Sequence, residues 1–361
     1  MMEAKKIEKI LVINPFGIGD VLFTTPVVRA LRENFPQAVI GYWCNERVKE
    51  VLKHNQNINM IFSLSRGDLK RLYKKSKVQA VLRLIRVLTD IKSHSFDAVI
   101  DFSLDYRYSF MTRILGIKKR IGFNYKNRGR FLTDTLPIET YSSKHVVDFY
   151  LDLLRFLNIE PRTKDLDLSV SPVNNVKGRY ILSRLGIKEN DTVIGIAPGA
   201  GASWGKDASF KRWPAIRFTQ LADKVVSELG AKVVILGDES ERDIADFIMY
   251  SMRYKAIDLV GKTNIEEFIA LINNVDVLVA NDGGPLHCAV ALGKKTVAIF
   301  GPVDDVVYGP FPRSDKHIVI KKDLPCRPCY QKFKLGACER DRACINMIST
   351  EEVFEAIRRL V

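Results

Sequence analysis

The chain has 361 residues, 47% of them hydrophobic and 27% charged, which is enough for two cores of ordinary size and too polar for a membrane-embedded protein. No run approaches the roughly 20 apolar residues that span a bilayer, and the basic opening MMEAKKIEKILVINPF leads straight into a strand and a glycine turn, so a signal peptide is excluded and a cytoplasmic protein expected. The formal charge of +14 is uneven, residues 1–170 holding 29 Lys and Arg against 18 Asp and Glu (net +11) and residues 171–361 holding 27 against 24 (net +3), which points to an anionic partner for the first half.

Apolar runs alternate with amphipathic segments along the chain, the pattern of parallel-sheet α/β folding. In the first half strands are predicted at 10–13 (ILVI), 38–43, 60–64, 96–102 (FDAVIDF) and 120–123 (RIGF). Helices are predicted at 21–34, 108–115 and 144–157, with a long basic amphipathic segment over 68–92. The polar, proline-punctuated stretch 160–175 is the expected linker. The second half predicts strands at 192–197, 232–236, 257–260, 277–280 and 296–300, and helices at 214–229, 239–249, 265–273 and 285–292. Ser349 and Glu352 have capping-box spacing and open a closing helix to Val361. The expected fold class is therefore α/β, with two Rossmann-like doubly wound domains at 1–168 and 169–347 facing a central cleft that holds the ligand. Segment 348–361 is expected as a helix packing back on the first domain.

The stretch VLVANDGGPLHCAVALGKKTVAIFGPVDD, 277–305, organises the second half. A buried strand ends at Asn281-Asp282-Gly283-Gly284, and Pro285 suits the first turn of a helix. Gly283 and Gly284 let an anion approach backbone N–H groups at the positive helix end, with His287 one turn on; Asp282 merely capping that helix is the plain alternative. Upstream, strand 192–197 delivers the glycine-rich loop 198–205, which contains Gly199 and is followed by Lys206 and Lys211. Cations beside such a loop suit a pyrophosphate whose charge grows as it leaves, although a solvated lysine is the simpler reading for Lys206. In the first half NPFGIGD places Gly17 and Gly19 in the turn and Asp20 at the mouth of the next helix; position 22 is Leu22, so the dinucleotide fingerprint is absent. Asp20 is either a helix cap or a general base with room for a substrate hydroxyl beside the two glycines.

Taken together, GIGDVLFTTPVVRALRENFP, FDAVIDF with KKRIGF, PGAGASWGKDASFKRWP, GDESERD and NDGGPLHCAVALGKKTVAIFGP resemble the heptosyltransferase family of lipopolysaccharide core assembly, in order and spacing through nearly the whole chain. The resemblance implies the two-domain GT-B architecture and inverting transfer of heptose from ADP-heptose to the lipopolysaccharide inner core, the acceptor being a Kdo or heptose sugar on lipid A. It implies Asp20 as the base, Lys211 as the phosphate-binding lysine, and Asp282, Gly283, Gly284 and His287 as the nucleotide-sugar loop. Glu241, ahead of Glu239, is implied as the acid on the adenosine ribose. Gly199 joins the donor side, while Gly17, Gly19 and Arg120 join the acceptor side. One departure is Gly283, where the family often has a hydroxyl residue, so backbone N–H groups take over that phosphate contact. A relative using another nucleotide sugar, an epimerase of the same architecture and a catalytically silent nucleotide-sugar-binding protein are the alternatives.

No cofactor is required by this chemistry, since lysine and a helix N-terminus carry the pyrophosphate charge. The motif C-x2-C-x8-C-x5-C at Cys326, Cys329, Cys338 and Cys344 has the composition of a structural zinc site, with reduced packed thiols or a redox-dependent bridge as the alternative. Cys44 and Cys288 read as buried small hydrophobes. The basic segment 68–92 reads either as a core-packed helix with a solvated cationic face or as a contact for anionic lipid headgroups or the acidic acceptor. The expected placement is peripheral, on the inner face of the inner membrane, without a nucleic-acid partner. The string Asp165-Leu166-Asp167 reads as incidental.

Overall fold

The computed structural model describes residues 7–361, which divide into two units, the first ending at Asp167 and the second spanning Leu168–Val361. Each is built on a six-stranded, all-parallel sheet. In the first unit the strands are β1 (Lys9–Asn14), β2 (Val39–Cys44), β3 (Met60–Ser63), β4 (Ala98–Asp101), β5 (Lys119–Tyr125) and β6 (Asp134–Ile138). Between and after them run α1 (Ile18–Phe23), α2 (Thr25–Asn34), α3 (Lys49–Leu52), α4 (Arg66–Lys75), α5 (Lys77–Ser93), α6 (Tyr106–Ile114) and α7 (Val146–Asp152). The second unit has α8 (Pro172–Arg184), β7 (Val193–Ala197), α9 (Ala215–Leu229), β8 (Lys232–Ile235), α10 (Arg242–Ser251), β9 (Ile257–Asp258), α11 (Ile265–Asn273), β10 (Val277–Asn281), α12 (Gly284–Ala291), β11 (Lys295–Phe300), α13 (Asp305–Tyr308) and β12 (His317–Lys321). It ends with the hairpin β13 (Tyr330–Gln331) and β14 (Lys334–Leu335), then α14 (Ala343–Asn346) and α15 (Thr350–Leu360).

The central strands are buried on both faces because parallel sheets are covered by their crossover helices, which is why ILVI and VLVA are unbroken apolar runs and not alternating ones. Strand order is β3-β2-β1-β4-β5-β6 in one sheet and β12-β11-β10-β7-β8-β9 in the other. In each unit the chain winds outward from its first strand and then returns to that strand's other side. The direction of winding therefore reverses between β1 and β4, and between β7 and β10. Loops leaving the carboxyl ends of such a pair diverge and open a crevice, the usual place for a ligand in this architecture. Asp20 follows β1, while the glycine loop and Asp282 follow β7 and β10.

Several elements differ from their predicted form. The helix expected at 21–34 is two helices, because Pro26 has no N–H to donate and Thr24 turns its hydroxyl back to the Val21 carbonyl at 2.6 Å. The segment 68–92 breaks at Ser76, whose hydroxyl caps α5 through the Gln79 N–H. Helix α8 starts inside the expected linker; Asn-Asn and Gly178 hide its periodicity, and Gly178 is where the Ala270 carbonyl of α11 comes closest, 3.0 Å from a Cβ placed there. Edge strands β6 and β12 carry mixed, half-exposed sequences without a readable period.

The closing helix belongs to the second unit. Val353, Phe354, Ile357 and Leu360 of α15 lie in the core of the second unit, packed on α9 and the sheet, where Phe218, Val225 and Ile299 share that core. Its apolar stripe is thus part of that core. Asp167 of the D-x-D string accepts from the Asn57 side chain at 3.2 Å and faces Arg29 at 3.7 Å, which makes it a clasp at the end of the first unit. Among the described residues, no helix is long and apolar enough to cross a membrane.

Candidate functional site

In the second unit the site is assembled by three strand ends. β10 finishes on Asn281, which is buried, and its amide ties the neighbouring loop in place. The Asn281 side-chain NH2 donates to the carbonyls of Pro198 (2.8 Å) and Gly199 (2.9 Å), and its oxygen accepts from the Trp213 N–H (3.0 Å). One side chain thereby fixes both ends of the segment that carries Lys211. The next residue, Asp282, is buried and meets Lys211 Nζ at 2.6 Å through Oδ2, with His287 Nε2 3.8 Å from Oδ1. Burial pushes the Asp282 carboxyl up, and Lys211 and His287 outweigh it, holding it below the usual carboxylate range. The indole of Trp204 covers the same ammonium, 4.3 Å from Nζ to the ring centroid, and meets the Tyr330 ring at a tilt of 43°, with centroids 4.9 Å apart.

Lys211 is therefore placed where the sequence put it, but as half of a buried ion pair. The pairing of Asp282 with Lys211 was not foreseen, because the two lie 71 positions apart and only the adjacency of β7 and β10 brings them together. The side chain of Lys206 lies outside the described residues. Gly283 heads α12 with extended backbone, and a Cβ there would stand 3.2 Å from the carbonyl group of Ala200. Its lack of a side chain thus accommodates the neighbouring loop as well as any anion, and a hydroxyl residue would have to push Ala200 aside by a few tenths of an ångström. Gly284 opens α12 beside the same loop, and the Gly283 carbonyl accepts from the His287 N–H at 3.4 Å.

Glu241 occupies the third strand end, beyond β8. Its Oε1 accepts from the Gly201 N–H at 3.2 Å and its Oε2 from the Asp238 N–H at 3.3 Å. Burial, followed by the nearby Asp238, raises its pKa despite these bonds and the approach of Arg212. Gly199 leaves room for that carboxylate: a Cβ would fall 1.6 Å from Glu241 Oε1, so a side chain there would displace Glu241. Glu239 is exposed and lies against Gly261, away from that loop.

In the first unit Asp20 sits in the first turn of α1 and is half-buried. Its Oδ2 accepts from the Gly17 N–H at 3.1 Å, so the capping geometry is realised, and Gly17 contributes its backbone donor to Asp20 itself. Asn14, at the end of β1, plays the part Asn281 plays in the other unit, donating to the Asp20 carbonyl at 2.9 Å and accepting from the Phe16 N–H at 3.1 Å. Gly19 lies inside α1. Arg120 is a clamp: its guanidinium donates to the carbonyls of Phe131 (2.6 Å), Lys118 (3.1 Å) and Ile117, joining β5 to the loop that follows it. Asp101, at the end of the neighbouring strand β4, was overlooked. It is buried, accepts from the Ser103 N–H at 2.8 Å, and burial raises its pKa to about 6. The readable signal for Asn14, Asp101 and Asn281 alike is a polar residue ending an apolar strand.

The cysteine segment leans on the segment that follows the glycine loop. Arg342 donates to the Ser209 carbonyl at 2.9 Å, and Trp213 donates its indole N–H to Ile348 at 3.0 Å. Cys326, Cys329, Cys338 and Cys344 are free thiols sharing one neighbourhood; burial, together with the other three sulfurs, raises Cys344 to about 11. Among the described residues no group of three or more His, Cys, Asp or Glu is disposed to hold a metal ion. Cys44 and Cys288 are buried, and burial pushes each thiol up to about 12.

Residues 82–337 match the profile of glycosyltransferase family 9 (heptosyltransferase). Lipopolysaccharide heptosyltransferase 3 of Escherichia coli K12 is 26% identical over 349 residues, 95% of each chain. In structure the chain is similar to the glycosyl transferase family 9 protein of Veillonella parvula, with a TM-score of 0.83, 24% identity and 99% of both chains covered. It is also similar to E. coli heptosyltransferase WaaC solved with ADP, with a TM-score of 0.72, 15% identity and 98% of this chain and 100% of that one covered. These likenesses give both units the GT-B type of fold.

Proposed function

Since the chain belongs to glycosyltransferase family 9 (heptosyltransferase), we propose that it transfers a heptose from ADP-heptose to a sugar of the lipopolysaccharide inner core, with inversion, while resting on the cytoplasmic face of the inner membrane. The observation that carries this reading is the buried Lys211–Asp282 pair at the winding reversal of the second unit, framed by the glycine loop and the start of α12. WaaC, of the same fold, was solved with ADP and with an ADP-heptose analogue, which supports the choice of donor.

In this reading the Asp20 carboxylate takes the proton of the acceptor hydroxyl, the oxygen attacks the anomeric carbon, and the bond from that carbon to the β-phosphate oxygen breaks with its electron pair leaving on ADP. Lys211 answers the charge that develops on the diphosphate. Asp282 holds the ammonium in place until the more highly charged diphosphate competes for it. The backbone N–H groups of α12 supply further donors. Glu241 takes the ribose hydroxyls, a carboxylate having acceptor capacity beyond the two backbone bonds it makes. This scheme asks nothing of a metal.

The test is transfer from a panel of nucleotide sugars to a truncated core acceptor, with Asp20→Asn beside the native chain. ADP-heptose should be the donor turned over, and the variant should lose at least about a hundredfold in kcat while its ADP affinity is unchanged. Full activity of Asp20→Asn would remove Asp20 as the base. Turnover of a different nucleotide sugar, or of ADP-heptose without acceptor, would replace the donor or the reaction.

A further inference from the structure

Helix α5 has two apolar stripes, and the core uses only one. Ala80, Val87 and Ile91 are buried, and Leu84 and Leu88 pack beside them on the core of the first unit. Val78, Val81, Leu82 and Ile85 repeat at i, i+3, i+4 and i+7 and fill a separate arc of about 100° on the helix. They are 67%, 52%, 56% and 54% exposed. The core-packed alternative for segment 68–92 therefore does not hold for these four residues, and a helix that needs one stripe for folding carries a second that is exposed. Cations surround that second stripe. Lys74 and Lys75 end α4 and Lys77 begins α5, all exposed; Arg86 borders the stripe on the side away from the core. None of these four is in an ion pair among the described residues. Over residues 66–93 there are nine Lys and Arg against two Asp, a net of +7. Tyr73, 53% exposed with Lys77 Nζ 5.6 Å from its ring, adds an amphipathic aromatic at the same edge.

We infer that this face of α5 is where the chain lies on an anionic bilayer, Val78, Val81, Leu82 and Ile85 entering the boundary between headgroups and acyl chains while the flanking cations engage the headgroup phosphates. The inference rests on the membrane-side reading of the function and gives it a surface. Charge selects the occupant: a second copy would bring one +7 face against another, and four side chains fall well short of the roughly 800 Å² per partner of a stable interface. An anionic bilayer offers apolar depth and the opposite charge in one surface.

The experiment is flotation of the full chain with vesicles of phosphatidylglycerol and phosphatidylethanolamine, and with vesicles of phosphatidylcholine alone. The native chain should partition onto the first and at least tenfold less onto the second. Val81→Ser with Ile85→Ser should lower binding to the anionic vesicles at least tenfold with every charge kept. Lys74→Glu with Lys75→Glu and Lys77→Glu should do the same, and added salt should reproduce much of that loss. All five positions are exposed, so the melting temperature should stay at the native value. The proposal is overturned if the native chain ignores anionic vesicles, if the serine variant binds them as the native chain does, or if sedimentation shows a native dimer that the serine variant abolishes. Transfer to a lipid-free truncated acceptor should be the same in all three proteins; its absence in the native chain would fault the sugar-transfer reading and leave the vesicle result to judge the surface.

Discussion

Replacing Lys211 by methionine separates its electrostatic role from its packing. Lys211 and Asp282 are both buried and 2.6 Å apart, so removing the ammonium leaves a carboxylate that cannot reach bulk water. Breaking a buried pair in this way costs about 3–5 kcal/mol, a large part of a typical domain's stability. The pH dependence follows from the direction in which Asp282 is displaced. Held below its ordinary value by Lys211 and His287 against the effect of burial, Asp282 stabilises the native chain at every pH above that ordinary value, and the contribution is lost only as pH falls through the lower folded value. In Lys211→Met burial prevails over His287 alone and the carboxyl moves above its ordinary value. The variant then loses stability as pH rises through the new folded value, by about 1.4 kcal/mol for every tenfold rise in the carboxylate's proton affinity. Urea denaturation at about pH 8 and about pH 5 should therefore show a wide gap from the native chain that narrows on acidification. Lys211→Met with Asp282→Asn should recover most of the stability while ADP affinity stays low, because the neutral pair cannot answer the diphosphate. Two single substitutions whose costs simply add, or a gap independent of pH, would refute the pairing as the organiser of this site.

Other outcomes are open to direct measurement. Asp101→Asn should stabilise the first unit by up to roughly 3 kcal/mol at about pH 8 and by little at about pH 4, because the cost of the raised carboxyl accrues as pH climbs from its ordinary value to its folded value of about 6 and is complete above it; denaturation at the two pH values reads this. Asn281→Ala strands the Trp213 N–H and the Pro198 and Gly199 carbonyls, and should cost roughly 3 kcal/mol together with a weaker KM for the donor, which calorimetry and steady-state kinetics resolve. Gly199→Ala should displace Glu241 and weaken ADP binding at least tenfold, whereas Gly283→Ala, with 3.2 Å to its neighbour, should be far milder in the same titration. With the cysteines placed as they are, metal analysis of protein purified without added zinc should find well below one zinc per chain; a stoichiometric value would show that the segment rearranges to form a site.

What could be read in advance depended on how local its cause is. Strands such as VLVAN and ILVI declare themselves because burial on both faces demands an unbroken apolar run. Edge strands β6 and β12 stayed hidden, since a strand covered on one side only needs no such run. Helix boundaries at Thr24 and Ser76 turned on single hydroxyls choosing a backbone partner.

The amino-acid sequence determined the parallel α/β class, the two halves, and the place of the central strands, because periodicity, proline and glycine act within a few positions of themselves. Tertiary structure decided the rest. That Lys211 is neutralised by Asp282, that Arg120 clamps backbone, and that Val78 to Ile85 stay outside the core are consequences of which strand lies beside which and which helix face the sheet covers. Those choices are set by summed burial over the whole unit, where no single side chain records them.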